Sequence, residues 1–178
     1  MYRIVSSITS FAQHFKSIAE FPDPYCPSVC PHCGLKILQK HGFYYRKADR
    51  CSGYETSHNP VPIRRYRCAG CGRTCSRLPL CIAPRRWFDW GMQQTILLLL
   101  LNGYSLHHCA RHLPPDRRTV RRWWDWLRAR TERFAFFLRA RFPELGRSAD
   151  GDSFWRTVMS GMSLASAMAW LDRELIVP

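Results

Sequence analysis

Acidic residues are scarce in this chain of 178 residues: 13 Asp and Glu stand against 27 Lys and Arg, for a formal net charge of +14. That excess goes beyond what solubility requires and favours a polyanionic partner, nucleic acid ahead of an anionic membrane surface. Long apolar runs are missing too. The longest aliphatic stretch runs only from Ile96 to Leu101, far short of the roughly 20 residues that a membrane-spanning helix needs, so no transmembrane segment is expected and nucleic acid, not a membrane, is the expected partner. At the N-terminus Ile4, Ile8, Phe11, Phe15 and Ile18 recur at helical spacing but are interrupted by Ser, Gln, His and Lys. This predicts an amphipathic packing helix over 1–25 rather than a secretory signal. Internal repeats and low-complexity stretches are absent. Nine cysteines, an odd number without an export signal, argue against a disulfide framework and for metal-bound thiolates in a reducing cytoplasm, at the nucleoid.

The cysteines carry the strongest pattern. Cys30-Pro-His-Cys33-Gly and Cys68-Ala-Gly-Cys71-Gly each let two thiolates converge on one ion, and together they complete the tetrahedral set that Zn2+ prefers in closed structural sites. Gly34 and Gly72 suit the tight turn that points backbone N–H groups at the sulfurs. A thioredoxin-like redox motif would need a βαβ context that the flanking prolines and strands do not supply. Cys26, Cys51, Cys75, Cys81 and Cys109 lack the paired spacing of a second closed site, although Cys26 stands in a C-x3-C relation to Cys30. His32, His41 and His58 are substitute ligands only if a cysteine fails.

Pro22, Pro24, Pro27 and Pro31 deny the backbone helical hydrogen bonds and mark a boundary near Cys26. Beyond it His41 to Arg46 and Val61 to Arg67 read as short antiparallel strands joined by a polar stretch over 48–60. Pro79 and Pro84 mark a second boundary. Three helices are then expected, from Trp87 to about Leu101, from Ser105 to about Leu113, and from Asp116 to about Arg141, followed after Pro143 by a short apolar segment around Phe154 to Met159 and a last helix starting near Ser163. The fold class that follows is α+β: a small β zinc ribbon over 26–85, a helix-turn-helix domain over 86–142 and a helical cap over 143–178.

From Ser105 the order of a small residue, a turn and a basic helix gives helix-turn-helix spacing, with Ala110 permitting close approach and Val120 and Trp123 closing the apolar wedge. On a helical wheel Val120, Trp123, Trp124 and Leu127 share one face. Arg118, Arg121, Arg122 and Asp125 lie away from it, with Arg117 on the flank. Eleven arginines and four acids lie between Arg111 and Arg147, without a lysine. Arginine pairs bidentately with guanine, so this bias points to groove reading by Arg117, Arg118, Thr119, Arg121 and Arg122. Arg64, Arg65, Arg67 and Arg73, beside Arg77, are candidates for gripping the DNA backbone. Trp87, Trp90, Trp123 and Trp124 are expected in the core, with Trp126 the candidate exception.

The segment from Cys30 to Trp126 resembles the zinc-ribbon plus helix-turn-helix region of bacterial insertion-sequence transposases and small transposase-like proteins. The matching text is Cys30-Pro-His-Cys33-Gly, His41-Gly42, Ile63 to Cys68, Cys71-Gly-Arg-Thr, Leu78-Pro79 and Thr119 to Trp123. The resemblance implies DNA binding at element ends, with strand cutting left to a separate ribonuclease-H-like domain bearing three carboxylates. About 37 residues follow the third helix, too few for such a domain. Asp150 and Asp152 form a pair without a third carboxylate in a comparable setting. The expectation is a non-enzymatic protein with no catalytic residue, binding double-stranded DNA, with a separate transposase catalytic subunit and a second copy as further candidate partners. A zinc-ribbon regulator or an RNA-binding module using Tyr44, Tyr45 and Tyr66 is the alternative, and a minimal Mg2+-dependent nuclease stands behind both.

Overall fold

The structure, a computed structural model, describes residues 3–21, 23–47, 60–84 and 88–174; Pro22, Cys51, His58 and Trp87 lie outside them. The described residues form six α-helices and two small sheets, an α+β chain. They divide into two compact units, 3–84 and Phe88–Glu174.

In the first unit the chain runs through β1 (Ile4–Val5), α1 (Phe11–Glu20), a 3-10 turn (Asp23–Tyr25), β2 (Leu38–Arg46), β3 (Val61–Cys68), β4 (Thr74–Cys75) and β5 (Leu78–Pro79). Strands β2, β3 and β4 make an antiparallel sheet in that order, while β1 pairs parallel with β5. The N-terminal helix does not start at Ile4. Ser10 accepts from the Gln13 N–H at 3.2 Å and the Gln13 side chain accepts from Ser10, a capping box that fixes the start at Phe11. Ile4 instead pairs with Leu78 across the small sheet.

Alternation along β3 sends side chains to opposite faces, and each face has its own core. Tyr66 packs with Val5, Ile8, Tyr25 and Cys75; Val61 and Ile63 pack with Leu78 and Ile82, joined by Phe11, Phe15 and Tyr44. The described residues 3–21 and 23–25 therefore belong to the same unit as the cysteine-bearing sheet instead of forming a domain of their own. His14 ties it there. Fully buried, its Nδ1 meets the Tyr25 hydroxyl at 2.6 Å and its Nε2 meets the Pro62 carbonyl oxygen at 2.9 Å. Burial lowers its pKa, against the raising effect of the Pro62 carbonyl, so the ring sits neutral between one donor and one acceptor.

The second unit comprises α2 (Trp90–Leu101), α3 (Leu106–His112), α4 (Arg117–Arg141), a 3-10 turn (Pro143–Arg147), α5 (Gly151–Gly161) and α6 (Leu164–Glu174). Helix α2 is apolar around most of its circumference and packs against α3, α4, α5 and α6, so the C-terminal helices share its core rather than capping a finished domain. Each helix start is fixed locally: Asp89 accepts from the Met92 N–H at 2.7 Å, Ser105 from His108 at 3.1 Å and Asp116 from Thr119 at 2.8 Å. Helix α3 ends on Leu113, extended at φ −128° and ψ 152°, the conformation that a following proline imposes. Pro114 and Pro115 thus make the sharp turn into α4 without a glycine. The small side chain that α3 buries is Cys109, fully enclosed like Val120 of α4, while Ala110 is only half-buried. No helix among the described residues is long and apolar enough to cross a membrane.

Candidate functional site

Two backbone knuckles bring four cysteines together. In the first, the Gly34 N–H donates to the Cys30 carbonyl at 2.8 Å, and Cys30 N–H donates to Leu35 at 2.8 Å. In the second, Gly72 N–H donates to Cys68 at 2.9 Å, and Cys68 N–H donates to Arg73 at 2.9 Å. Gly34 and Gly72 close the two turns at φ 76° and 70°, the left-handed region where a side chain is strained. Sequence position alone pairs Cys30 with Cys33 and Cys68 with Cys71. Across the two knuckles Cys30 Sγ lies 3.7 Å from Cys71 Sγ, and Cys33 Sγ lies 3.5 Å from Cys68 Sγ. All four ligand atoms fall within 4.8 Å of one another, close enough to hold one metal ion.

The electrostatics of the cluster point the same way. Burial of the Cys30 sulfur opposes ionisation, but N–H groups of His32 and Cys33 and the thiols of Cys33 and Cys71 donate to it, and its pKa falls to about 7. At Cys33 the Leu35 N–H favours the thiolate, yet desolvation and the sulfurs of Cys68, Cys30 and Cys71 outweigh it and push the thiol up to about 12. A first thiolate is welcome there and further ones repel it, which is the repulsion a divalent cation removes. Burial pushes up the thiols of Cys26, Cys75, Cys81 and Cys109, so these stay protonated core groups. Neither Cys26 nor His32 or His41 belongs to the cluster.

Sequence reasoning missed the cover over the second knuckle. A Cβ placed on Gly70 would lie 2.6 Å from Leu35 Cδ1 and 3.2 Å from Ile37 Cδ1, and Ala69 N–H donates to the Ile37 carbonyl at 3.0 Å. The only hint in the chain is the pair of small residues, Ala69 and Gly70, between two ligands.

The arginines fall into two groups. On the first two turns of α4, Arg117, Arg118, Arg121 and Arg122 are all exposed, opposite the buried Val120, Trp123 and Leu127. Thr119 is different. It is half-buried, and its hydroxyl donates to Asp116 Oδ2 at 3.2 Å, so it serves the helix cap. The Thr119 N–H in turn holds the Asp116 carboxyl below its usual range. In the first unit Arg67 and Arg73 are exposed, with Arg67 Nε donating to the Gly72 carbonyl at 3.3 Å. Arg64 and Arg65 are half-buried, lying over the rings of Phe43 at 4.4 Å and Tyr44 at 5.4 Å. Arg77 is tied to the carbonyls of Pro24 and Ile4. Trp90 and Trp123 are buried, Trp124 lies under Arg128, and half-buried Trp126 meets Phe134 edge-on at 5.7 Å, which makes it a packing residue.

Residues 30–123, from the first candidate ligand to the second turn of α4, match the family described as Domain of unknown function (DUF6431). The chain belongs to that family. The DUF6431 segment spans all four clustered cysteines and all four exposed arginines at the start of α4. It names no activity and does not extend to the transposase resemblance. No curated protein and no solved structure matches the chain.

Proposed function

We propose that this DUF6431 protein is a zinc-stabilised, double-stranded-DNA-binding protein of transposase type, whose described residues bind DNA rather than cut it. A tetrahedron of thiolates around zinc, with bonds of about 2.3 Å, has edges of about 3.8 Å. The 3.7 Å and 3.5 Å sulfur separations fit that figure, so Cys30, Cys33, Cys68 and Cys71 would hold zinc as a closed structural site in a zinc ribbon. Such a site supplies folding energy and leaves no open position for a reacting water.

DNA binding rests above all on one observation: α4 begins with four exposed arginines and no acid after its cap, carried on a core-facing stripe that packs against α2 and α3. With the proline turn before it, the α3–α4 pair is read as a helix-turn-helix whose second helix enters the major groove by its N-terminal turns. The carboxylates favour no nuclease. Asp150 is taken up as the cap of α5, accepting from Ser153 N–H at 2.8 Å, and among the described residues the cysteine cluster is the single group placed to hold a metal. Strand transfer would then fall to a separate catalytic subunit.

One experiment tests both halves. Purified chain is assayed for zinc, for retention of a labelled duplex, and for strand cleavage with and without Mg2+. One zinc per chain with duplex retention and no cleavage is expected. Cleavage that requires Mg2+, or a failure to retain duplex at low salt, overturns the reading.

A further inference from the structure

Strand β2 is the outer strand of its sheet and presents two aromatic rings to solvent, Phe43 at 39% and Tyr45 at 65% exposure. They stand two residues apart, on one face, at about 7 Å along the strand. Across the ladder, Phe43 pairs with Arg64 and Tyr45 with Pro62, so the neighbours on that face are a guanidinium and a flat apolar ring. The tyrosines expected to stack, Tyr44 and Tyr66, are instead turned into the two cores. Two exposed rings side by side on one sheet face offer a stacking platform, and the charge around them says which kind of partner fits it. Strands β2 and β3 carry Lys40, Arg46, Arg64, Arg65 and Arg67 and no acid. The Arg64 guanidinium lies 4.4 Å from the Phe43 centroid, and its buried Nε has no hydrogen-bond partner among the described residues.

We infer that the Phe43–Tyr45–Arg64 face binds single-stranded DNA, with unpaired bases stacked on the two rings and Arg64 set beside the backbone phosphates. This rests on the nucleic-acid reading above and adds to it a second substrate form, unpaired strands beside duplex. Bases in a duplex keep their faces covered by their neighbours, so an aromatic platform selects for unpaired ones, while basic side chains track the backbone without regard to sequence. Tyr45 is the more open ring and is the first contact. Phe43, already backed by Arg64 on one side, takes the next base between its free face and the strand.

The test uses the full chain in its metal-loaded form, with oligo(dT), oligo(U) and a duplex of equal length as probes. Tyr45→Ala and Phe43→Leu each weaken oligo(dT) binding about 5- to 150-fold, the range spanned by loss of one stacked base. Tyr45→Phe, which keeps the ring, restores most of it. Duplex affinity stays within about twofold in all three variants, and metal content and the circular dichroism spectrum do not change, as both rings lie at the surface. Unaltered oligo(dT) binding in Tyr45→Ala and Phe43→Leu overturns the inference while leaving duplex binding intact. Ring-dependent oligo(dT) binding without any duplex binding upholds it and overturns the duplex reading instead. Tighter ring-dependent binding to oligo(U) than to oligo(dT) overturns the choice of DNA.

Discussion

If α4 enters the groove by its first two turns, its salt dependence follows from the arginines placed there. Arg117, Arg118, Arg121 and Arg122 are exposed on one side of the helix. With each neutralising one phosphate, the slope of log affinity against log salt is about −3.6, at about 0.9 for each contact. Raising salt from about 50 to about 200 mM then weakens duplex binding about 150-fold. Replacing one of the four, Arg121→Gln, should bring the slope to about −2.7 and the same salt step to a loss of about 40-fold. The internal control is Arg133→Gln, also exposed but 16 positions beyond Arg117, about 24 Å along the helix. That exceeds the major groove's width of about 12 Å, so Arg133→Gln should leave the slope near −3.6. Fluorescence anisotropy of a labelled duplex over a salt series measures all three slopes. A wild-type slope near zero, or equal changes from Arg121→Gln and Arg133→Gln, refutes the placement of the N-terminal turns at the phosphates.

Metal analysis should find one zinc per chain, and Cys68→Ser should lose it together with the folded first unit, whereas Cys26→Ser should keep it; metal retained in Cys68→Ser removes the site. Leu127→Ala, at a fully buried position of α4, should lower the stability of the second unit by about 2–5 kcal/mol in urea denaturation, and a smaller loss would mean that α4 is not clamped to its core. His14 has a folded pKa below its ordinary 6.5, so the unfolded chain binds the proton more readily. The stability of the first unit should therefore be full above about pH 6.5 and fall as pH drops through the lowered folded value, and His14→Gln should flatten that fall; a flat wild-type curve between pH 7.5 and 5.5 sinks it.

What the chain discloses about itself depends on how local the deciding physics is. The bounds of α3 and α4 can be read because Ser105, Asp116 and the double proline settle them within a turn. The knuckles can be read because glycine at φ near 70° must follow each pair. Ile4 could not be placed that way. Its spacing to Ile8 and Phe11 is helical, and only the Ser10 cap and a strand partner 74 positions away put it in β1. The same holds for Tyr66, which has the look of an exposed stacking residue in a basic run until Val5, Ile8 and Tyr25 close over it from the other end of the unit. Cys109 and Ala110 are equally small, and helical phase set by the turn decides which one α3 buries. The approach of sulfurs from different knuckles, Cys30 to Cys71 and Cys33 to Cys68, is likewise a property of two knuckles meeting and of neither one alone.

The start of α4 also carries a cost that bears on its purpose. Arg117 with Arg121, and Arg118 with Arg122, are like charges four residues apart, each pair destabilising a helix by about 0.2–0.5 kcal/mol. Farther along, Asp125 with Arg128 and Arg128 with Glu132 alternate in sign, as a solvated face does. The repulsion at the first two turns is offset by burial of Val120, Trp123 and Leu127 at about 1.5–3 kcal/mol each. A helix kept only for its core stripe gains nothing from this placement, since an acid at any of the four positions would relieve it. Under the proposed DNA binding the placement acquires a physical reason: phosphates would supply the missing negative charge and remove a repulsion already present in the folded chain, so that anion binding at these turns would stabilise α4 beyond the contacts it makes.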